Sequence, residues 1–237
     1  MRNVLFLAFF ALLATASVNA QKSDRETVEG NGNLVTRDVA VTSFESLKAS
    51  GVYELKLLQG DKESVKIEAD ENLQQYFNVK NEGQALVIDM KELRNVNLRN
   101  KNKMRVFVTF KKLKELDIST VGSVNAEKEL NFADLEIKNA SVGKVDLRLS
   151  ANTVKLNNSS VGNVILAGKA QNADFRNSGV GSLDAGSFVV QTLNIENSGV
   201  GSATVNAEKD LKVKDNMLGR VKNRGAAPVR KNNRVQI

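Results

Sequence analysis

The 237-residue chain has no cysteine, histidine or tryptophan, one proline and two tyrosines. Without histidine or cysteine, the usual zinc ligands and nucleophile–base pairs are missing. Carboxylates, lysines and arginines are left as the groups able to do chemistry, and no residue calls for a cofactor or a metal. Disulfides are excluded, so stability has to come from burial and hydrogen bonding. With 5% aromatic residues, there are few rings on which sugars or bases could stack. No apolar run beyond Ala20 is long enough to span a bilayer.

The opening segment, Met1 to Ala20, reads as a secretory signal peptide. Arg2 precedes an apolar run over residues 4–14, and Val18-Asn19-Ala20 supplies small residues at a cleavage point. Removal would leave Gln21 as the first residue, with no cysteine to carry a lipid anchor. The mature chain keeps 33 Lys+Arg (34 less Arg2) against 27 Asp+Glu.

What the chain does have is a repeat. A short phrase recurs six times: at Ser119-Thr120-Val121-Gly122, then as Asn-x-x-Val-Gly beginning at Asn139, Asn158, Asn177 and Asn197, and last at Asn216-Met217-Leu218-Gly219. Its apolar member moves from Val121 through Val142, Val161, Val180 and Val200 to Leu218 in nearly equal steps. A period near 20 marks a repeat architecture in which each unit buries its apolar face only by stacking on its neighbours.

Before each phrase stands an alternating apolar pair, such as Leu135/Ile137, Val154/Leu156 and Leu193/Ile195, and a second alternating run follows it. Period-2 alternation predicts strands. Strands returning in parallel at every turn predict an all-β, right-handed parallel β-helix over residues 114–225, preceded by a less regular β region over residues 39–113. In that coil Gly143, Gly162, Gly181 and Gly201 would turn the corners. The equally spaced Asn139, Asn158, Asn177 and Asn197 would stack their amides into a ladder. Variation in step length is expected in the corners, because an extra residue inside a strand would flip its apolar face.

Residues 21–38 are assigned as a flexible leader and residues 226–237 as a basic tail. Between them, strands are expected near residues 34–41, 52–59, 65–69, 85–90 and 104–110, with a hairpin or rung corner at residues 60–63. One helical turn over residues 71–77 would be N-capped by Asp70. The phrase around Leu47 to Val52 has the shape of the one at Leu193 to Val200, two residues shorter. Early irregular rungs and a separate subdomain both fit residues 39–113.

The run Phe44-Glu45-Ser46-Leu47-Lys48-Ala49-Ser50-Gly51-Val52, followed by Gln59-Gly60-Asp61, resembles the opening of the GIN-domain family, described as an autotransporter adhesin head. The serial Asn-Ser-Gly-Val-Gly corners are similar to that family's Ser-Gly-Ala-Gly phrases, with valine for alanine. The resemblance spans about residues 39–225. It implies a β-helical envelope protein of a Gram-negative bacterium with no established activity. No translocating barrel follows Ile237, so a complete autotransporter is not expected.

Two clusters could carry function. The outward middle position of the first strand in each unit holds Asp117, Glu136 and Asp174, and neighbouring carboxylates on a rod can bind Ca²⁺ or act as acid and base on a polysaccharide. A solvated face of mixed charge is the plainer reading. The stretch 212–234 is strongly basic, and guarding the open last rung is preferred over binding anionic polymer. Nucleic acid is not expected as a partner of an exported chain without stacking aromatics in that stretch. Taken alone, the sequence favours an exported non-catalytic envelope module, structural or adhesin-like. Envelope polysaccharide or another surface protein are its possible partners, and a carbohydrate-binding or carbohydrate-active rod is the alternative.

Overall fold

A computed structural model describes residues 26–90, 96–215 and 219–231. The signal peptide, the start of the leader, the last corner at residues 216–218 and the tail beyond residue 231 lie outside the described residues. Apart from one 3₁₀ helix, Glu71–Tyr76, every regular element described is a strand.

The strands form a β-helix whose core is read off two columns of inward side chains. One column runs Val106, Leu55, Val124, Val145, Val164, Leu183, Ala203, Val221. The other runs Leu86, Leu47, Leu116, Ile137, Leu156, Phe175, Ile195, Val213. All but Val221 are buried. The strands Val145–Asn158, Val164–Asn177, Leu183–Asn197 and Ala203–Asp215 bend midway and so contribute to both columns. Branched residues suit this placement, because their stiff side chains pack well between neighbours about 4.8 Å above and below.

Most of the region before residue 114 joins the same sheet, and Thr27–Glu29 with Asn97–Arg99 forms a separate two-stranded one. Ser46–Val52 pairs in parallel with Glu115–Val121, and Glu54–Gln59 with Val124–Asn125. Of the hairpin and the rung corner expected at residues 60–63, the hairpin does not form, because Arg105–Phe110 lies between the two strands. It runs parallel to Glu54–Gln59 and antiparallel to Ser64–Asp70. The leader is also shorter than assigned. Leu34–Val39 pairs antiparallel with Ser64–Asp70, and Thr27–Glu29 in parallel with Asn97–Arg99. These strands satisfy backbone groups that would otherwise be open, and Asn72 clips them by accepting from Asn31 N–H and donating to the Glu29 carbonyl. Asp70 precedes the 3₁₀ helix but makes no side-chain cap. It is buried and accepts instead from Lys101 N–H and Asn102.

The Asn/Gly corners do not absorb the variation in step length. From each ladder asparagine to the first core residue of the next strand the distance is constant: 139 to 145, 158 to 164, 177 to 183 and 197 to 203. The extra residues fall on the opposite side of the coil. They occupy the loop at residues 126–129, the stretch from Asp184 to Val189, which bulges against both neighbouring strands, and one position between Ala207 and Asp210. A bulge lets a strand take up one residue without turning the rest of its side chains inside out.

Candidate functional site

The asparagine ladder is buried and continuous. Asn139 Nδ2 donates to Asn158 Oδ1 at 2.8 Å, Asn158 to Asn177 at 2.7 Å, and Asn177 to Asn197 at 2.6 Å. The Ser141 and Ser160 hydroxyls donate to Asn139 and Asn158 in the same corners. Hydrogen-bonded in this way, the amides hold the corner together and present little to a ligand. Gly143, Gly162, Gly181 and Gly201 have φ of +140°, +137°, +134° and +135°. At Gly162 a Cβ would also collide with the Gly143 carbonyl one rung below. Along the outside of these corners Val52, Val121, Val142, Val161, Val180 and Val200 stack in register, each about half exposed.

The carboxylates Asp117, Glu136 and Asp174 are not brought together. The step from Val121 to Val142 is longer by two than the one after it, which sets Asp117 beside Lys138 and Glu136 beside Glu115. From Glu136 the column continues through Lys155, Asp174, Asn194 and Lys212. Lysines intervene in it: Lys155 lies 3.3 Å from Glu136. Lys138 pairs with Glu115 and, chiefly by hydrogen bonding to it, holds that carboxyl below its usual range. Asp174 faces Arg176 at 3.9 Å. Among the described residues no group of three or more acidic side chains could hold a metal ion. This face is a solvated lattice of mixed charge.

A different feature has the form of a binding site. On the bulged side of the coil, where the strands bend, two adjoining depressions of about 680 and 520 Å³ share Glu129 and Asn131. Together they make a trough that crosses the rungs. Its floor is low because small residues stand in the bend, namely Ala151, Gly168 and Ala170. Gly168, with φ +109°, cannot carry a side chain without striking the Leu149 carbonyl. Apolar points are set along it by Phe132, stacked on Phe110 at 5.8 Å, and by the exposed Leu58 and Val189.

The remaining lining is polar, and it includes five amides, one from each of five successive rungs: Gln59, Asn131, Asn152, Gln171 and Gln191. Pairing places Gln171 one rung above Asn152 and one below Gln191. Gln59 is committed to the Asn131 backbone, donating to its carbonyl and accepting from its N–H. The side chains of Asn152, Gln171 and Gln191 make no hydrogen bond among the described residues. The charges along the trough balance, with Asp61, Glu127 and Glu129 against Lys111, Lys128 and Lys169. Sequence reasoning passed over this site, although Asn131, Asn152, Gln171 and Gln191 recur at nearly the spacing of the ladder itself.

The stacked coil of parallel strands belongs to the class of β-solenoids, and among its described residues no helix is long and apolar enough to cross a membrane. The chain is a member of the family described as "Putative auto-transporter adhesin, head GIN domain", whose model matches residues 43–227. It is similar to a solved structure described as a "putative adhesin" from Bacteroides fragilis NCTC 9343. That match has 25% identity and a TM-score of 0.74 over 86% of this chain and 99% of that one. Two Parabacteroides distasonis ATCC 8503 structures share the fold at 19% identity. One is described as a "putative lipid binding protein" (TM-score 0.59, covering 88% and 100%). The other is described as a "putative adhesin" (TM-score 0.52, covering 87% and 100%). No curated protein matches the chain.

Proposed function

We propose that this chain is an exported, non-catalytic binding module of a bacterial cell envelope, which holds a surface partner along the side of its rod. The observation that carries the reading is the five-rung trough, in which the amides of Asn152, Gln171 and Gln191 are free among the described residues, on a scaffold whose family is described as an adhesin head. Amide side chains donate and accept hydrogen bonds but do not titrate, so they recognise a partner without supplying an acid or a base. The signal-peptide pattern of residues 1–20 supports export.

The test has two arms. Cell fractionation should recover the chain without residues 1–20 in the envelope or the medium. The purified mature chain should bind washed envelopes saturably. Retention in the cytoplasm with residues 1–20 uncleaved, or an absence of saturable binding, would overturn the reading.

A further inference from the structure

We infer that the trough takes an uncharged glycan chain lying along the rod axis. The inference rests on the binding-module reading above and names its ligand. Length argues for a polymer. The amides from Gln59 to Gln191 cross four strand spacings, about 19 Å, which is longer than a monosaccharide and open at the side.

The chemistry argues for sugar. A glycan offers hydroxyl edges, which both donate and accept, and C–H faces that pack on apolar groups. Asn152, Gln171 and Gln191 match the first property, because each amide donates and accepts and none is engaged elsewhere among the described residues. Phe132 and Val189 match the second, set on either side of the low floor at Ala151 and Ala170. The rung spacing is close to the length of one pyranose unit, so successive amides would meet successive sugars.

Charge argues against a polyanion. The whole chain carries a formal net charge of +7, yet the trough's acidic and basic side chains are equal in number. A site for an acidic polymer would concentrate the cations there. An extended peptide is disfavoured too, because it docks by adding a strand to an open sheet edge. Here the backbone groups along the strands flanking the trough are paired between rungs.

The experiment uses the mature chain and soluble hexasaccharides. Neutral glucan, mannan and xylan hexamers are the probes, with a polygalacturonate hexamer and an oligo-threonine peptide beside them, each titrated by NMR and calorimetry. At least one neutral hexamer should bind, shifting the side-chain amide signals of Asn152, Gln171 and Gln191 while leaving those of the Asn139–Asn197 ladder in place. The double substitution Gln171→Ala/Gln191→Ala should weaken that binding about tenfold or more. Asn194→Ala, on the charged face, should not change it. Tighter binding of the polyanion or the peptide overturns the inference, as does binding unaffected by the double substitution. Failure of every neutral hexamer overturns it as well. Saturable binding to whole envelopes that the double variant retains would sink the trough assignment alone and leave the module reading standing.

Discussion

A phenylalanine and a valine in the same rungs are expected to behave very differently when truncated. Phe175 is 1% exposed and stacked on Phe188 at 6.3 Å, whereas Val161 is 53% exposed. Phe175→Ala should lower stability by about 3–5 kcal/mol, while Val161→Ala should cost about 1 kcal/mol or less. Denaturant unfolding of the two variants gives the comparison, and similar losses would mean the faces are wrongly assigned. Tyr53 gives a pH-dependent counterpart. Its hydroxyl donates to the Ile88 carbonyl at 3.3 Å. Burial, reinforced by the nearby Asp89 charge, raises its pKa well above the ordinary value of 10.0. In the unfolded chain the phenol ionises near pH 10 while the folded one stays protonated, so folding stability should fall as pH rises through 10. Tyr53→Phe should flatten that part of the profile in melts taken from pH 8 to 11. An unchanged slope would show that Tyr53 is solvated. At this scale the core residues were legible because alternation names the inward side of a strand. Val161 was legible as a repeat position but not as an exposed one, since the corner breaks the alternation.

Among the elements, the corners and the bends divide the work. The corner from Asn158 to Gly162 has a buried amide, a glycine at positive φ and a backbone hydrogen bond to the rung on either side. A residue inserted there would push the asparagine out of register and leave a buried donor and acceptor unmatched, at a cost of about 1–3 kcal/mol for each group. The opposite bend already tolerates a change of one or two residues from rung to rung. An insertion after Ser178 should therefore lower the melting temperature far more than one between Ser187 and Phe188, where the strand is already irregular. Calorimetry on the pair tests this, and equal losses would count against the division. The expectation that corners in general absorb length was half right, because a period alone does not say on which side of the turn residues are gained. The trough was hidden for the same reason. It sits where the period slips, and its amides come from two strand ends, at Gln59 and Asn131, and from the middle of three long strands, at Asn152, Gln171 and Gln191, whose alignment depends on those slips. Asp117 and Glu136 failed as a pair for a related reason: a two-residue step difference keeps side-chain parity but changes the neighbour.

At the scale of the molecule, a stack of parallel strands has two ends, and each leaves a row of unpaired backbone groups that could template association. The N-terminal end is extended by antiparallel pairing: Asn78–Glu82 folds onto Ala85–Asp89, and Ser64–Asp70 with Leu34–Val39 extends the layer beside Arg105–Phe110. At the other end the basic stretch was expected to guard an open last rung, and Leu211–Val213 would be that rung's edge. Instead Val229–Lys231 pairs with it in parallel, while Val221–Asn223 covers Ala203–Val205. Part of the basic tail is therefore a strand, and it sets Arg230 and Lys231 against Asp210 and Asp215. Asn223 binds this cap to the body: its amide donates to the Ala207, Gly225 and Ala227 carbonyls, and Ala227 is buried. Ending the chain after Gly225 removes Val229–Lys231, Ala227 and the single proline, Pro228. It uncovers the backbone of Leu211–Val213 while leaving the columns below that rung packed. The truncated protein should keep its β circular-dichroism signal, melt at a somewhat lower temperature, and self-associate at concentrations where the full mature chain stays monomeric. Sedimentation velocity on both forms at equal concentration, in low and high salt, decides the matter. Association that persists in high salt would identify strand pairing at the uncovered edge. A truncated form as monodisperse as its parent would show that the terminal strand does not protect the edge.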